Sequence, residues 1–366
     1  MGNKPTSSGG DTDDCLTKSI KPINNPSTNN YPTITLGHSH QSTSTITLLI
    51  LSDTHGKHRT LPLPSQGADI LLHCGDWSNW KTSKKDTVDF NKWLGELKGY
   101  ERKILICGNH EICCGKLTTA KIKEKYITNA EYYCNEAIQH KSLKLWLSPL
   151  TRARNVSYRA NSFSKSQERL QEEFSKCPND TDVLITHSPP YGILDRHKKG
   201  HRMGSIELWK TVQRVLPSIH IFGHCHDDAG ALSRKMLPEG TWHCQTCTFE
   251  NQSLHLACSA CSTVRQPKSI TFINASNKKN VQPFLLKIYM KKDKINDEEE
   301  KENENEKEEE KEGKNGGGGI DSEGNDGKTE DTKEILETAT AIHSTQETKN
   351  QTSPLPQHDS IVLPLH

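Results

Sequence analysis

Five short apolar runs in this chain each stop on Asp, His or Asn, and no other feature restricts its fold so tightly. Ile46–Leu51 runs into Ser52-Asp53-Thr54-His55, and Ile70–Leu72 into His73-Cys74-Gly75-Asp76. Ile104–Ile106 leads to Cys107-Gly108-Asn109-His110-Glu111, Val183–Ile185 to Thr186-His187, and Ile219–Phe222 to Gly223-His224-Cys225-His226. The runs are short, rich in β-branched residues and bounded by turn formers, which predicts buried strands; Ile270–Ile273 is a further one. Between them, Phe90, Trp93, Leu94 and Leu97 recur at i, i+3, i+4 and i+7, one apolar helix face. Leu208, Val212 and Val215 repeat that spacing, and Leu170 with Phe174 suggest another helix. Alternating strands and helices predict an α/β fold, a sheet covered by helices on both faces.

In such sheets ligands bind beyond the carboxyl ends of the strands. Successive strand ends therefore aim Asp, His and Asn at one rim. Imidazole and carboxylate together suit Zn, Fe or Mn, whereas oxygen alone would suit Mg or Ca. The set holds more donors than one ion needs, and Asp76, with two oxygens, can bridge a pair. Two ions about 3.5–4 Å apart clamp the attacking and leaving oxygens of an in-line displacement and acidify a bound water. The chemistry expected is hydrolysis of a phosphate ester. Any one of these motifs is weak alone; their order, each directly after a strand, carries the reading. His58, His73, His197 and His201 fall outside the pattern and read as bystanders.

Taken together, Asp53-Thr54-His55, Gly75-Asp76, Gly108-Asn109-His110-Glu111, Thr186-His187 and Gly223-His224-Cys225-His226 resemble the calcineurin-like metallophosphoesterases. Thr186-His187-Ser188-Pro189-Pro190-Tyr191-Gly192-Ile193-Leu194-Asp195 and Phe272-Ile273-Asn274-Ala275-Ser276 are similar to signatures of the small metallophosphoesterase-domain branch. The resemblance implies a four-layer α/β/β/α sandwich with two divalent ions, Mn, Fe or Zn. It assigns Asp53, His55, Asp76 and His226 to one ion, and Asp76, Asn109, His187 and His224 to the other. His110 would contact the phosphate and assist the leaving oxygen, with Asp76 as the bridge. Here Gly75-Asp76 continues into Trp77-Ser78-Asn79-Trp80 rather than the Asp-Arg-Gly of the protein Ser/Thr phosphatases, which argues against phosphoprotein substrates. Leu150–Phe163 matches the branch's aromatic stretch poorly, so mono-, di- and cyclic esters all stay open.

A second metal site lies within the same region. Cys244/Cys247 and Cys258/Cys261 form two Cys-x-x-Cys pairs, and four thiolates close a tetrahedral shell around a structural zinc. With Trp242 and Asn251 at their spacing, residues 238–266 resemble a Ran-binding-protein-2 type zinc finger. That family contains ubiquitin binders and single-stranded RNA binders. Thr248-Phe249 after the second Cys match the ubiquitin binders, although Ala260 is small for the contact before the last Cys. Gln252-Ser253-Leu254-His255 lacks the Arg and aromatic residue that RNA binders use, so ubiquitin is preferred. A bound partner would bring the enzyme to its substrate or partly cover the site. The rival reading is a non-catalytic adapter whose finger is the function and whose phosphoesterase fold is a scaffold.

Composition places these units. Residues 44–290 carry the folding information as a phosphoesterase domain interrupted by the finger. Residues 1–43 read as a disordered polar arm, and residues 291–366 as a disordered Lys/Glu-rich tail. The stretch 291–337 holds 19 acidic residues against 9 Lys, so the chain's net +1 leaves +11 elsewhere. Neither a uniformly basic nucleic-acid binder nor a uniformly acidic protein fits. With no apolar run of about 18 residues, no transmembrane segment is expected. Met1-Gly2-Asn3-Lys4-Pro5-Thr6 makes Gly2 a lipidation candidate, and a single acyl chain would give only weak membrane association. Twelve Cys without a secretion signal suggest reduced thiols and metal ligands in a cytoplasmic or nuclear protein.

Overall fold

The computed structural model describes residues 31, 33–36, 44–153, 160–276 and 283–290. Its first half forms β1 (Thr33–Leu36), β2 (Ser44–Leu51), β3 (Ala68–His73), α1 (Ser83–Glu96), β4 (Tyr100–Leu105), α2 (Thr119–Lys125), β5 (Glu131–Tyr132), β6 (Glu136–His140) and β7 (Leu143–Ser148). There follow β8 (Thr151–Arg152), β9 (Ser164–Lys165), α3 (Gln167–Ser175), β10 (Val183–Thr186), α4 (Ile206–Val215) and β11 (Ile219–Phe222). The last part holds β12 (Gly230–Met236), β13 (Trp242–His243), β14 (Glu250–Asn251), β15 (Lys268–Asn274) and β16 (Phe284–Met290).

Two six-stranded sheets organise these elements, in the orders β1-β16-β2-β3-β4-β5 and β12-β15-β11-β10-β7-β6. Their inner faces meet in one apolar core, where Leu48, Ile50, Ile70 and Ile104 of the first pack with Leu145, Ile185, Ile221 and Ile273 of the second. The alternate residues point outward. Leu49, Leu51 and Leu71 pack under Phe90, Trp93 and Leu94 of α1 and Ile122 of α2. Trp146, Leu184, Phe222 and Phe272 pack under Leu170 and Phe174 of α3 and Leu208 and Val212 of α4. Successive strand side chains face opposite sides, so runs apolar at every position are the ones buried on both faces. The result is a four-layer α/β/β/α sandwich. Alternation alone suggested one sheet with helices on both faces; two sheets stand there instead, each with helices on its outer face.

The arm expected over 1–43 needs a correction. Thr33–Leu36 forms an edge strand parallel to β16, with Ile34 only 4% exposed in the inter-sheet core. A short alternating β-branched run gained a partner that lies far away in sequence. Gly2, most of the rest of the arm and the tail from residue 291 lie outside the described residues, as do residues 154–159 of the poorly matched stretch.

The finger leaves the sandwich at one place. β12 and β15 are an antiparallel pair, with Gly230 opposite Asn274 and Met236 opposite Lys268. β15 runs parallel to β11, and Asn274 lies beside Phe222. Residues 237–267 therefore depart from the strand ends farthest from His224 and His226. At about 3.3 Å per residue, a seven-residue strand separates the finger's root from the rim by roughly 20 Å. The finger's root is thus one strand length away from the metal-ligand loop, although the two are close in sequence.

Candidate metal centre

Backbone hydrogen bonds first lock the rim loops together. Asp53 N–H donates to Gly75 O (2.9 Å), His55 N–H to Asp76 O (3.0 Å) and Gly56 N–H to Trp77 O (2.7 Å), zipping the loop after β2 to the loop after β3. Trp77 is fully buried, stacked on Phe90 with centroids 5.1 Å apart, and its Nε1–H donates to Thr87 Oγ1. The Trp that sets this chain apart from the Ser/Thr phosphatases thus anchors the loop to α1. Asp53, His55, Asp76 and His224 all hold left-handed backbone conformations, with φ of 55°, 43°, 57° and 69°. Such strain in non-glycine residues persists only where the surroundings over-determine it, and it gathers at functional sites.

Glycines make room for the carboxylates. A Cβ on Gly108 would overlap Asp76 Oδ1 and the His187 ring, and one on Gly223 would overlap Ser52 Oγ and Asp53 Oδ2.

Within this frame the donor atoms of Asp53, His55 and His226 lie within 4.8 Å of one another, as do those of Asp76, His187 and His224. His55 and His110 each reach Asp76 within the same limit, so Asp76 touches both groups. Asp53 Oδ1 is 3.1 Å from His226 Nε2, and His226 Nε2 is 3.2 Å from His55 Nε2. Asp76 Oδ1 accepts the His110 N–H at 2.8 Å, while Oδ2 lies 3.4 Å from His187 Nε2. Asn109 donates its Nδ2–H to Ala160 O and turns Oδ1 inward, 3.1 Å from His187 Nε2.

The tautomers show what this arrangement demands. His187 Nδ1–H donates to Cys74 O at 2.7 Å, and His55 Nδ1–H to Ser78 O at 3.1 Å, so both Nε2 lone pairs face inward. A neutral His187 would then set three acceptors against each other: its own Nε2, Asn109 Oδ1 and Asp76 Oδ2. Only a proton or a cation resolves that. Burial lowers the affinity of His187 for a proton, but the Asp76 carboxylate outweighs it and raises the pKa to about 9. Burial likewise opposes ionisation of Asp53, yet His226 beside it holds the carboxyl well below its ordinary range. Anionic carboxylates among backbone-oriented imidazoles fit divalent cations well.

Glu111 is the residue that motif reading left without a role. It is completely buried, and Oε2 accepts from Asp76 N and Gly108 N at 2.8 and 2.6 Å. Its Oε1 accepts from Ser78 N and Ser78 Oγ at 3.0 and 2.9 Å. Burial, with Asp76 nearby, pushes its pKa up to about 8, against the pull of those donors. Its position beside His110 in the motif was the available signal. His73, read as a bystander, supports the rim from beneath through Thr54 Oγ1 and Gly75 N. His58 and His201 do not reach the rim's metal-ligand groups, whereas His197 does line the site. A cavity of about 390 Å³ opens over the centre, walled by His55, Asp76, Asn109 and His110 and, across it, by His197, Lys198, Met203 and Asp227.

In the finger, Cys244 Sγ lies 3.5 Å from Cys261 Sγ, and Cys247 Sγ 3.5 Å from Cys258 Sγ. The four sulfurs form one cluster. Each Cys pair closes a matching turn: Thr248 N–H donates to Cys244 O and Ser262 N–H to Cys258 O, with φ of 60° at both Thr248 and Ser262. Asn251 joins the turns, donating to Phe249 O and accepting from Ser259 N. Trp242 donates to His255 O beneath the Arg265 guanidinium. Phe249 remains half exposed, and Thr248 and Ala260 are exposed too.

The family model for the calcineurin-like phosphoesterase matches residues 46–228, half of the chain. The chain belongs to the calcineurin-like phosphoesterase family. The model for the zinc finger in Ran binding protein and others matches residues 238–267. Metallophosphoesterase domain-containing protein 1 of Homo sapiens is 33% identical over 207 residues, covering 50% of this chain and 61% of that protein. Two Caenorhabditis elegans proteins, UPF0046 protein K07C11.7 and UPF0046 protein C25E10.12, are 30% and 31% identical. They cover 51% and 50% of this chain, and 65% and 70% of their own lengths. The chain thus spans about three fifths of the human relative. Among the described residues, no helix is long and apolar enough to cross a membrane.

Proposed function

We propose that this phosphoesterase hydrolyses phosphate esters with two divalent cations, one against Asp53, His55, Asp76 and His226 and the other against Asp76, Asn109, His187 and His224. The observation that carries the reading is the convergence of acceptor atoms on Asp76, with the His55 and His187 imidazoles turned inward by backbone carbonyls. When bound, such cations neutralise phosphate oxygens and activate a water. The chain's own residues supply the rest. Asn109 contributes a neutral oxygen, which leaves the centre cationic enough to accept a phosphate anion. His110 lines the cavity, its ring against His55 with centroids 4.6 Å apart and Nε2 3.8 Å from Asp76 Oδ2. There it contacts the phosphate and helps the leaving oxygen depart, as an acid or through charge.

The finger recruits a protein partner, with ubiquitin the preferred ligand through Thr248 and Phe249. Its root on the far edge of the sheet supports recruitment rather than coverage of the centre. Zinc serves structure there, since four sulfurs close the coordination shell.

The test is a screen of the Mn²⁺-loaded protein against mono-, di- and cyclic phosphate esters, beside Asp76→Asn and His110→Ala. Turnover reduced at least about 100-fold in both variants is expected for such groups. Equal background turnover in all three would leave the adapter reading.

A further inference from the structure

The wall facing the metal centre is a hairpin with a pronounced charge. Asp195-Arg196-His197-Lys198-Lys199-Gly200-His201-Arg202-Met203 contains Arg196, Lys198, Lys199 and Arg202 against Asp195 alone. Arg196 pairs with Arg202 in an antiparallel bridge, His197 N–H donates to His201 O, and the His197 and His201 rings stack with centroids 4.4 Å apart. Six basic side chains are thereby crowded onto one short turn at the cavity mouth.

Crowding like charges costs energy unless something fixes them, and here carboxylates fix the backbone. Asp195 is fully buried; Oδ1 accepts from Arg202 at 2.6 Å, and Oδ2 accepts from Gly192 N and Gly204 N. Asp228 accepts the Arg196 N–H at 2.9 Å, and Asp227 the Lys198 N–H at 3.0 Å. Asn274 Nδ2 donates to Leu194 O, Cys225 O and Asp228 O, tying the hairpin base to the loop that carries His226. The hairpin is therefore held in register with the metal ligands. Asp195 also pairs with the Arg202 guanidinium, and Asp227 lies 3.7 Å from His197 Nε2, whereas among the described residues the Lys198 and Lys199 ammoniums make no ion pair. Both lysines are exposed, and Lys198 lines the cavity itself.

A rigid cationic wall beside a phosphate-hydrolysing centre has one evident use. Resting on the hydrolase reading above, we propose that the 195–203 hairpin binds a second phosphate of the substrate, making the preferred substrates esters that carry a further phosphate beside the one removed. Lys198 and Lys199 are the point charges that meet it, and cationic walls of this kind also raise the rate of encounter with an anion. The metal centre selects one phosphate, and the hairpin selects molecules with two.

The experiment compares kcat/KM for adenosine 3′,5′-bisphosphate with that for adenosine 5′-monophosphate, with p-nitrophenyl phosphate as a general ester. Wild type, the double variant Lys198→Ala/Lys199→Ala and Lys235→Glu, at the far end of β12, are measured at low and high salt. The wild type is expected to favour the bisphosphate by about tenfold or more, the effect of one charge-assisted hydrogen bond. The double variant should bring the ratio to about one, high salt should shrink it, and Lys235→Glu should leave it in place. A wild type that hydrolyses both nucleotides alike overturns the inference while the hydrolase stands. A double variant that keeps the wild-type ratio overturns it as well. No hydrolysis of any ester brings down the hydrolase and this inference together.

Discussion

Glu111 accepts the backbone N–H of Asp76 at 2.8 Å, so a buried carboxylate holds in place the carboxylate at the middle of the metal centre. The same side chain also holds Gly108 and Ser78, the residues flanking the two ligand loops. Glu111→Ala leaves at least three buried N–H groups without acceptors, each costing about 1–3 kcal/mol. A stability loss of about 3 kcal/mol or more in urea unfolding is expected. A loss below about 1 kcal/mol would mean that water replaces the carboxylate without penalty.

Gly108→Ala tests the packing at Asp76. The new methyl overlaps Asp76 Oδ1 and the His187 ring, so these two proposed cation ligands must move apart. Elemental analysis is expected to show loss of the divalent ions from the rim and retention of the finger's zinc. Full retention of both would show that the loop yields without disturbing the centre.

The pH dependence of stability should carry a signature of His220. Thr186 Oγ1–H donates to Ser188 O, so it must accept from His220 Nε2–H, and Nδ1 is left buried without a partner. Burial lowers the His220 pKa to about 3. The sign follows: the unfolded chain binds the proton more readily, so the stabilisation is complete above the unfolded value near 6.5 and is lost as pH falls towards about 3. One such histidine contributes up to about 1.4 kcal/mol per pH unit in that window. His220→Leu should flatten the decline between pH 6 and 4, monitored by urea midpoints; an unchanged slope would assign the decline to other groups.

Phe249 and Asn251 separate recognition from structure in the finger. Phe249 is 49% exposed, whereas Asn251 is 1% exposed and joins the two turns. Phe249→Ala should weaken ubiquitin binding about tenfold or more while zinc is retained, since truncating an aromatic contact typically costs more than 1 kcal/mol. Asn251→Ala should lower zinc retention itself. Undiminished ubiquitin binding by Phe249→Ala would remove ubiquitin as the ligand of this face.

Much of the sandwich was legible because its inner strands are apolar at consecutive positions, as in Leu48, Leu49 and Ile50, and little else in a sequence produces that pattern. The rim residues were legible for a related reason: Asp53, Asp76, Asn109, His187 and His224 each follow such a strand closely. What escaped depends on distant partners. β1 is too short to declare itself until β16 lies beside it, and the division into two sheets rests on strand pairings that local periodicity does not encode. His197 was passed over because it follows no strand; a basic hairpin and Asn274, far along the chain, bring it to the cavity. Proximity in sequence does not translate directly into space at the finger, which begins shortly after His226 but is rooted one strand length away, at the other end of β12.

The most direct measurement is the metal content of the full-length protein after Mn²⁺ loading and gel filtration, taken for wild type and Asp76→Asn. Two manganese ions and one zinc per wild-type chain are expected, with Asp76→Asn losing manganese and keeping zinc. Wild-type protein that retains zinc alone would contradict a two-cation centre built on Asp76.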